Sequence, residues 1–190
     1  MRLEDGTLHN IQWHQNRLEK TYKTFFSGTK PPSLYEIDIP DVFRSGLYKV
    51  RVIYARRIVS VDFAPYSRRN ITSLVKVYSD SVCYTFKSED RACIENLRPA
   101  GLGCESDFLI IKNGFVTDVS SSTIAFLDGT SWYVPDTPLL PGTSRERLLY
   151  TGKVRERRIL ETDIPDFPSA CVFNAMNDFL SITIDTSRIL

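Results

Sequence analysis

Between Phe108 and Leu149 the chain reads FLIIKNGFVTDVSSSTIAFLDGTSWYVPDTPLLPGTSRERLL, and two dipeptides in it, Asn113-Gly114 and Asp128-Gly129, constrain the fold most. A two-residue hairpin turn needs positive φ angles, which glycine adopts without steric cost and Asn or Asp tolerates. The flanks are rich in β-branched and aromatic residues, so the stretch predicts antiparallel strands joined at these two turns. Pro141-Gly142 then turns the chain, and Thr143 with Glu146 spells a Thr-x-x-Glu capping box ahead of Leu148-Leu149. A helix that starts this way offers unpaired N–H groups and a positive dipole end to an anion such as phosphate. Taken alone, the same residues also describe an ordinary capped helix after a hairpin.

Arg2 to Leu8 predicts a hairpin arm turning at Asp5-Gly6. From Asn10, a plausible N-cap, the period becomes helical: Ile11, His14, Leu18, Tyr22, Phe25 and Phe26 share one face, with Gln15, Glu19 and Lys23 on the other. Gly28 and Pro31-Pro32 end that helix. Leu34 to Arg44 reads as a short helix or a linker. Strands are expected at Tyr48 to Tyr54, Ile58 to Phe63, Ser73 to Tyr78 and Val82 to Lys87, and a helix at Glu89 to Leu97 with Cys93, Ile94 and Leu97 inward. Further strands are expected at Val154 to Leu160, Ala170 to Phe173 and Leu180 to Ile184, with a brief helix at Asp163 to Phe167. The sum is an α+β chain: residues 1–82 as a small N-terminal α/β domain, residues 83–190 as a strand-rich C-terminal domain.

At 190 residues and 42% hydrophobic content such a chain can bury a real core. Its 24 basic and 23 acidic residues are scattered and leave a net charge of +1, which supplies no field for nucleic acid or an anionic membrane. No apolar run approaches a bilayer span, and no secretory leader is visible, so a soluble, cytoplasmic protein is expected. The four cysteines, Cys83, Cys93, Cys104 and Cys171, show no Cys-x-x-Cys spacing and read as reduced structural thiols. With only His9 and His14 present, a histidine-rich metal site or an imidazole-based nucleophile mechanism is disfavoured, and an enzyme built on this chain would use another base.

Lys87 ends the apolar run VCYTFK, which places its amine at a partly dry position where a lysine becomes a nucleophile. By position alone it reads as a solvated strand-end lysine. Asp118 follows a strand and precedes Ser120, Ser121, Ser122 and Thr123; it reads also as a turn aspartate. Arg91, four residues beyond Lys87, either shares its face or pairs with Glu95 at i+4. Arg51, on an alternating strand, either clamps a carboxylate or faces solvent.

The order of these signals is more specific than any one of them. Arg17 in His-x-x-Arg-Leu, Lys87, Asp118 in Thr-Asp-Val-Ser, the Leu-Leu-Pro-Gly-Thr-Ser-Arg run and Asn174-Ala175 together resemble the landmarks of the class IV aminotransferase family. These are the fold-type IV pyridoxal phosphate enzymes, which include branched-chain and D-amino acid aminotransferases and 4-amino-4-deoxychorismate lyase. The resemblance implies a D-amino acid aminotransferase-like fold with pyridoxal 5'-phosphate as cofactor. It implies that Lys87 is the Schiff-base residue and proton shuttle, that Arg17, Thr143 and Ser144 hold the cofactor phosphate, and that Asn174 and Ala175 close that cup. Asp118 stands where the family usually has a glutamate pairing with the pyridine nitrogen.

Where the family carries an asparagine after that acid, this chain has Thr123, and its first domain is short for the family. Lys87-x-x-x-Arg91 is similar to the lyase pattern. The resemblance therefore implies an aminotransferase-family enzyme acting on a small amino acid or amino-bearing acid. A 4-amino-4-deoxychorismate lyase, eliminating pyruvate to leave 4-aminobenzoate, is the alternative, and a non-catalytic binding protein the further one. A homodimer without nucleic-acid or membrane partners is expected.

Overall fold

The computed structural model describes residues 1–26 and 28–190. Contacts gather them into two units, Met1–Arg68 and Arg69–Leu190. In the first, strands β1 (Arg2–Glu4), β2 (Thr7–Leu8), β3 (Leu47–Tyr54) and β4 (Ile58–Pro65) form one antiparallel sheet in the order β2-β1-β3-β4. The arm turns at Asp5 and Gly6 with φ of 45° and 76°, the left-handed geometry the sequence demanded. Helix α1 (Ile11–Phe25) buries Leu18 and Tyr22 as expected. It also buries Gln15, which was placed on the solvent face, because that amide is satisfied there: its oxygen accepts from Leu34 N at 2.8 Å and its nitrogen donates to Pro32 O at 3.2 Å. Phe25 lies exposed instead. Asn10 occupies the N-cap, but in a left-handed conformation (φ 55°) whose side chain makes no cap bond.

The second unit holds two sheets. In one, β5 (Ser73–Tyr78) runs parallel to β6 (Ser106–Lys112), which pairs antiparallel with β7 (Phe115–Val119). In the other, β8 (Thr123–Asp128), β9 (Ser131–Pro135), β10 (Arg155–Arg157), β11 (Ser169–Phe173) and β12 (Thr183–Asp185) lie in the order β10-β9-β8-β11-β12. Helix α2 is Ala92–Glu95 and α3 is Thr143–Tyr150. Asp107 to Ile111 of β6 and Thr123 to Phe126 of β8 are buried without alternation, as strands covered on both faces must be. Each large apolar side chain so enclosed contributes roughly 1.5–3 kcal/mol. No helix among the described residues is long and apolar enough to cross a membrane.

Both hairpins form where expected. Asn113 and Gly114 (φ 51° and 76°) join β6 to β7, and Gly129 (φ 59°) opens the turn from β8 to β9. Nothing lies within 4 Å of a Cβ built on Gly114, so Gly114→Ala meets only backbone strain. It should cost about 1 kcal/mol or slightly more in urea unfolding, with β6 and β7 still formed.

The strand expected at Val154 to Leu160 shortens to Arg155–Arg157 and that at Leu180 to Ile184 shifts to Thr183–Asp185, while two further elements differ more. Val82 to Lys87 keeps its alternating burial, Val82 and Tyr84 in, Cys83 and Thr85 out, yet is no strand. Inside its sheet β6 is paired on both edges by β5 and β7, and Val82 to Lys87 pairs with no strand of it. Val82 is held instead by side chains, its N–H donating to Ser79 Oγ (3.2 Å) and its carbonyl accepting from Lys112 Nζ (2.6 Å). The helix expected at Glu89 to Leu97 shrinks to α2, entered where Asp90 Oδ1 accepts from Ala92 N at 2.9 Å; Cys93 points out, not in.

Candidate active site

The second unit brings together five segments that the sequence kept apart. Asp118, near the end of β7, is 8% exposed. Its Oδ2 accepts from the backbone N–H groups of Leu139 (2.8 Å) and Leu140 (3.1 Å), in the loop that leads through Pro141 to α3. Burial pushes its pKa up to about 6, against the opposing pull of those two N–H groups and of the Arg145 and Lys87 charges. No cation among the described residues forms an ion pair with it. Asp107, the other deeply buried carboxylate, differs here: it is bridged by Arg69 at 3.1 Å.

Two residues past Leu140, Gly142 is the N-cap of α3, and Thr143 and Ser144 open the helix. The expected capping box does not form: Thr143 is the first helical residue, not the cap, and no side chain caps the turn. The first-turn N–H groups therefore remain directed out of the helix end, as the anion reading requires. A Cβ at Gly142 would sit 3.3 Å from Thr123 Oγ1, so glycine is what lets the helix start approach the beginning of β8 this closely. Asn174 arrives from the end of β11, whose Phe173 is paired with Thr123. Its Nδ2 donates to Ser122 Oγ at 2.9 Å, and its Oδ1 accepts from the N–H groups of Met176 (2.8 Å) and Asn177 (3.0 Å), which fixes the turn containing Ala175. Ser122-Thr123, Gly142 to Ser144 and Asn174-Ala175 thus form one polar rim.

Lys87 is solvent-exposed, not partly dry as its apolar run suggested, since the segment is irregular and ends at the surface. Its Nζ lies 5.7 Å from the centroid of the Tyr84 ring, and it is near enough for its charge to act on Asp118. Arg91 forms the ion pair that the i+4 spacing predicted. It pairs with Glu95 (3.4 Å) and also donates to Ser120 O at 2.8 Å, tying the Lys87 segment to the turn after Asp118. Ser120, Ser122, Thr123 and Gly142 were not singled out as site residues; the close approach at Gly142 was signalled only by its place between Pro141 and Thr143.

Arg17 on α1 and Arg51 on β3 belong to the first unit, half-buried and exposed respectively, with Arg51 opposite Asp62 in the sheet. His14 is buried there, its pKa lowered to about 2 by burial and by the nearby N-terminal and Arg17 charges, so it stays neutral. A cavity of about 270 Å³ lined by Val82, Tyr84, Lys112, Thr117 and Leu139 is separate from the rim. Thr117 of its lining precedes Asp118 on β7, and Leu139 of its lining donates to Asp118 Oδ2.

This arrangement fits pyridoxal phosphate in its chemistry. A helix start and a polar rim suit a phosphate, a buried carboxylate without an ion partner suits a protonated ring nitrogen, and an exposed amine close by suits an aldehyde. Comparison with known proteins agrees. Residues 100–184 match the family model described as amino-transferase class IV. An uncharacterised protein of Haemophilus influenzae strain Rd is 36% identical over 178 residues, 92% of this chain and 94% of the relative. A Haemophilus somnus protein of known crystal structure, provisionally named a 4-amino-4-deoxychorismate lyase, is 30% identical with a TM-score of 0.79, covering 93% of each chain. A hypothetical aminotransferase from Mycobacterium tuberculosis in its pyridoxal phosphate-bound form shares the fold at 17% identity and a TM-score of 0.70, over 100% of this chain and 81% of that one.

The chain belongs to the class IV aminotransferase family and is an enzyme of that kind. The family depends on pyridoxal phosphate and acts on small amino-acid-like substrates.

Proposed function

We propose that this protein is a pyridoxal phosphate enzyme acting on a small amino acid or amino-bearing acid, with Lys87 as its covalent and proton-transferring residue. The observation that carries the reading is Asp118: a buried carboxylate with one oxygen fixed by two N–H groups, no ion pair, and the helix start and Lys87 beside it. When bound, the cofactor supplies an aldehyde that condenses with amines and a ring that accepts electron density from the substrate α-carbon. Asp118 would hold a proton on the ring nitrogen. Thr143 and Ser144, with Asn174 and Ala175 at the rim, hold the phosphate. Lys87 Nζ would be the amine that holds the cofactor's aldehyde carbon and the base that would take and return the substrate α-carbon proton. Arg17 enters through the family resemblance, as a partner of the phosphate, and a homodimer enters in the same way; Arg51 enters from its strand position, as a clamp for a substrate carboxylate.

A second reading, 4-amino-4-deoxychorismate lyase, is favoured by the 30% identical Haemophilus somnus protein and by the Lys87-x-x-x-Arg91 spacing, which resembles the lyase pattern. Both reactions begin with removal of the same proton, so substrate tests must separate them. Purified protein given pyridoxal phosphate and reduced with borohydride should carry one cofactor adduct, mapped to Lys87; an adduct elsewhere or none overturns the assignment. Pyruvate released from 4-amino-4-deoxychorismate without a keto acid present selects the lyase, whereas turnover that requires a keto acid selects the aminotransferase.

A further inference from the structure

We infer that Cys83 and Cys93 are a disulfide-forming pair whose closure staples the loop that carries Lys87. Both thiols are exposed, and they flank the segment containing Tyr84, Lys87 and Arg91. Cys93 Sγ lies 3.4 Å from the carbonyl oxygen of Cys83, so one cysteine side chain already rests against the other's main chain. Closing the link would require the exposed Cys83 side chain, its Sγ now 3.7 Å from Thr85 Oγ1, to rotate toward the Cys93 sulfur that already rests on the Cys83 main chain.

The loop between them is already closed on itself. Tyr84 Oη donates to Ser88 O at 2.8 Å, and Lys87 Nζ and the Arg91 guanidinium lie 5.7 and 6.0 Å from its ring centroid. The link would therefore form across a loop that holds its shape. The other two cysteines serve as internal controls. Cys171 is fully buried, its Sγ accepts from Leu180 N, and burial pushes its thiol up to about 11, which withholds the reactive thiolate. Cys104 is exposed but has no thiol contact with Cys83 or Cys93.

The oxidant is a small-molecule disulfide such as oxidised glutathione. One cysteine thiolate attacks a glutathione sulfur and expels one glutathione thiolate. The second cysteine then attacks the protein sulfur of that mixed disulfide and expels the other. Two electrons pass from the protein thiols to glutathione, and their two protons end on the released thiols. In a reducing compartment such a link is transient and follows the redox poise.

The test is titration of the folded protein with oxidised glutathione against reduced glutathione, read by intact mass and peptide mapping. The expected product is lower in mass by two hydrogen atoms, maps to a Cys83–Cys93 link, and forms at an oxidant level about tenfold lower than in the urea-unfolded chain. Cys83→Ser and Cys93→Ser should each abolish the link and retain a single glutathione on the remaining member of the pair, while Cys104→Ser forms it normally. In the oxidised protein, trypsin cleavage after Lys87 should slow. Glutathione adducts persisting on both cysteines, or a link that forms as readily in urea, overturn the proposal. None of these readouts involves cofactor or turnover, so the pairing stands or falls separately from the role given to Lys87.

Discussion

Lys87→Ala is expected to lower turnover by about 10⁴-fold while leaving the melting curve of the cofactor-free protein almost unchanged. The first half follows from chemistry. A residue that both forms the covalent link and moves the α-carbon proton combines two effects, and positioned proton transfer alone is worth about 10²–10⁴. The second half follows from the structure, in which the Lys87 side chain is exposed at the surface. Surface substitutions of that kind usually stay within about 0.5 kcal/mol. Lys87→Arg sharpens the test, since it keeps a cation near Asp118 but supplies no amine that condenses with an aldehyde. Both variants should lose the borohydride-trapped adduct along with activity. A Lys87→Ala enzyme that keeps a tenth of its turnover would remove Lys87 from the mechanism.

The exposure of Lys87 also shows where pattern reading reaches its limit. Val82 to Phe86 alternates as a strand should, but strandhood requires a partner edge, and whether β6 has one to spare depends on β5 and β7, which come from distant parts of the chain. Hairpins were legible because their information is local: Asp5-Gly6, Asn113-Gly114 and Gly129 all take the positive φ their residue types invite. The start of α3 lies between these cases. Pro141-Gly142 did mark a helix entry, but the cap fell on Gly142 because the helix must approach Thr123 within a distance that a Cβ would crowd. That contact couples β8 to α3, and no spacing in the chain encodes it. For the same reason Ser122 and Ser120, which meet Asn174 and Arg91 only in space, could not be found by order along the sequence.

Asp118→Asn is expected to move stability and activity in opposite directions, and pH separates the two. In the folded, cofactor-free protein the carboxyl pKa stands at about 6 against an ordinary 3.8, chiefly because burial penalises the charge. A raised folded-state pKa means that the native state binds the proton more tightly than the unfolded chain. Its contribution to stability is therefore complete below about pH 4, declines as pH rises through 6, and is lost above that, a difference on the order of 3 kcal/mol. Asparagine keeps an oxygen for the Leu139 and Leu140 N–H groups but does not titrate. Urea unfolding of the cofactor-free proteins should then show the variant equal to wild type near pH 4 and more stable by up to about 3 kcal/mol at pH 8. Turnover should fall by about 10²–10³-fold, because the ring nitrogen loses the anion that holds its proton. A stability difference that does not change with pH would mean that Asp118 is not buried as a lone carboxylate. On the proposed reading, this carboxylate, held by Leu140 two residues before the Gly142 cap of α3, would be kept at that cost for a ligand that brings the opposite charge.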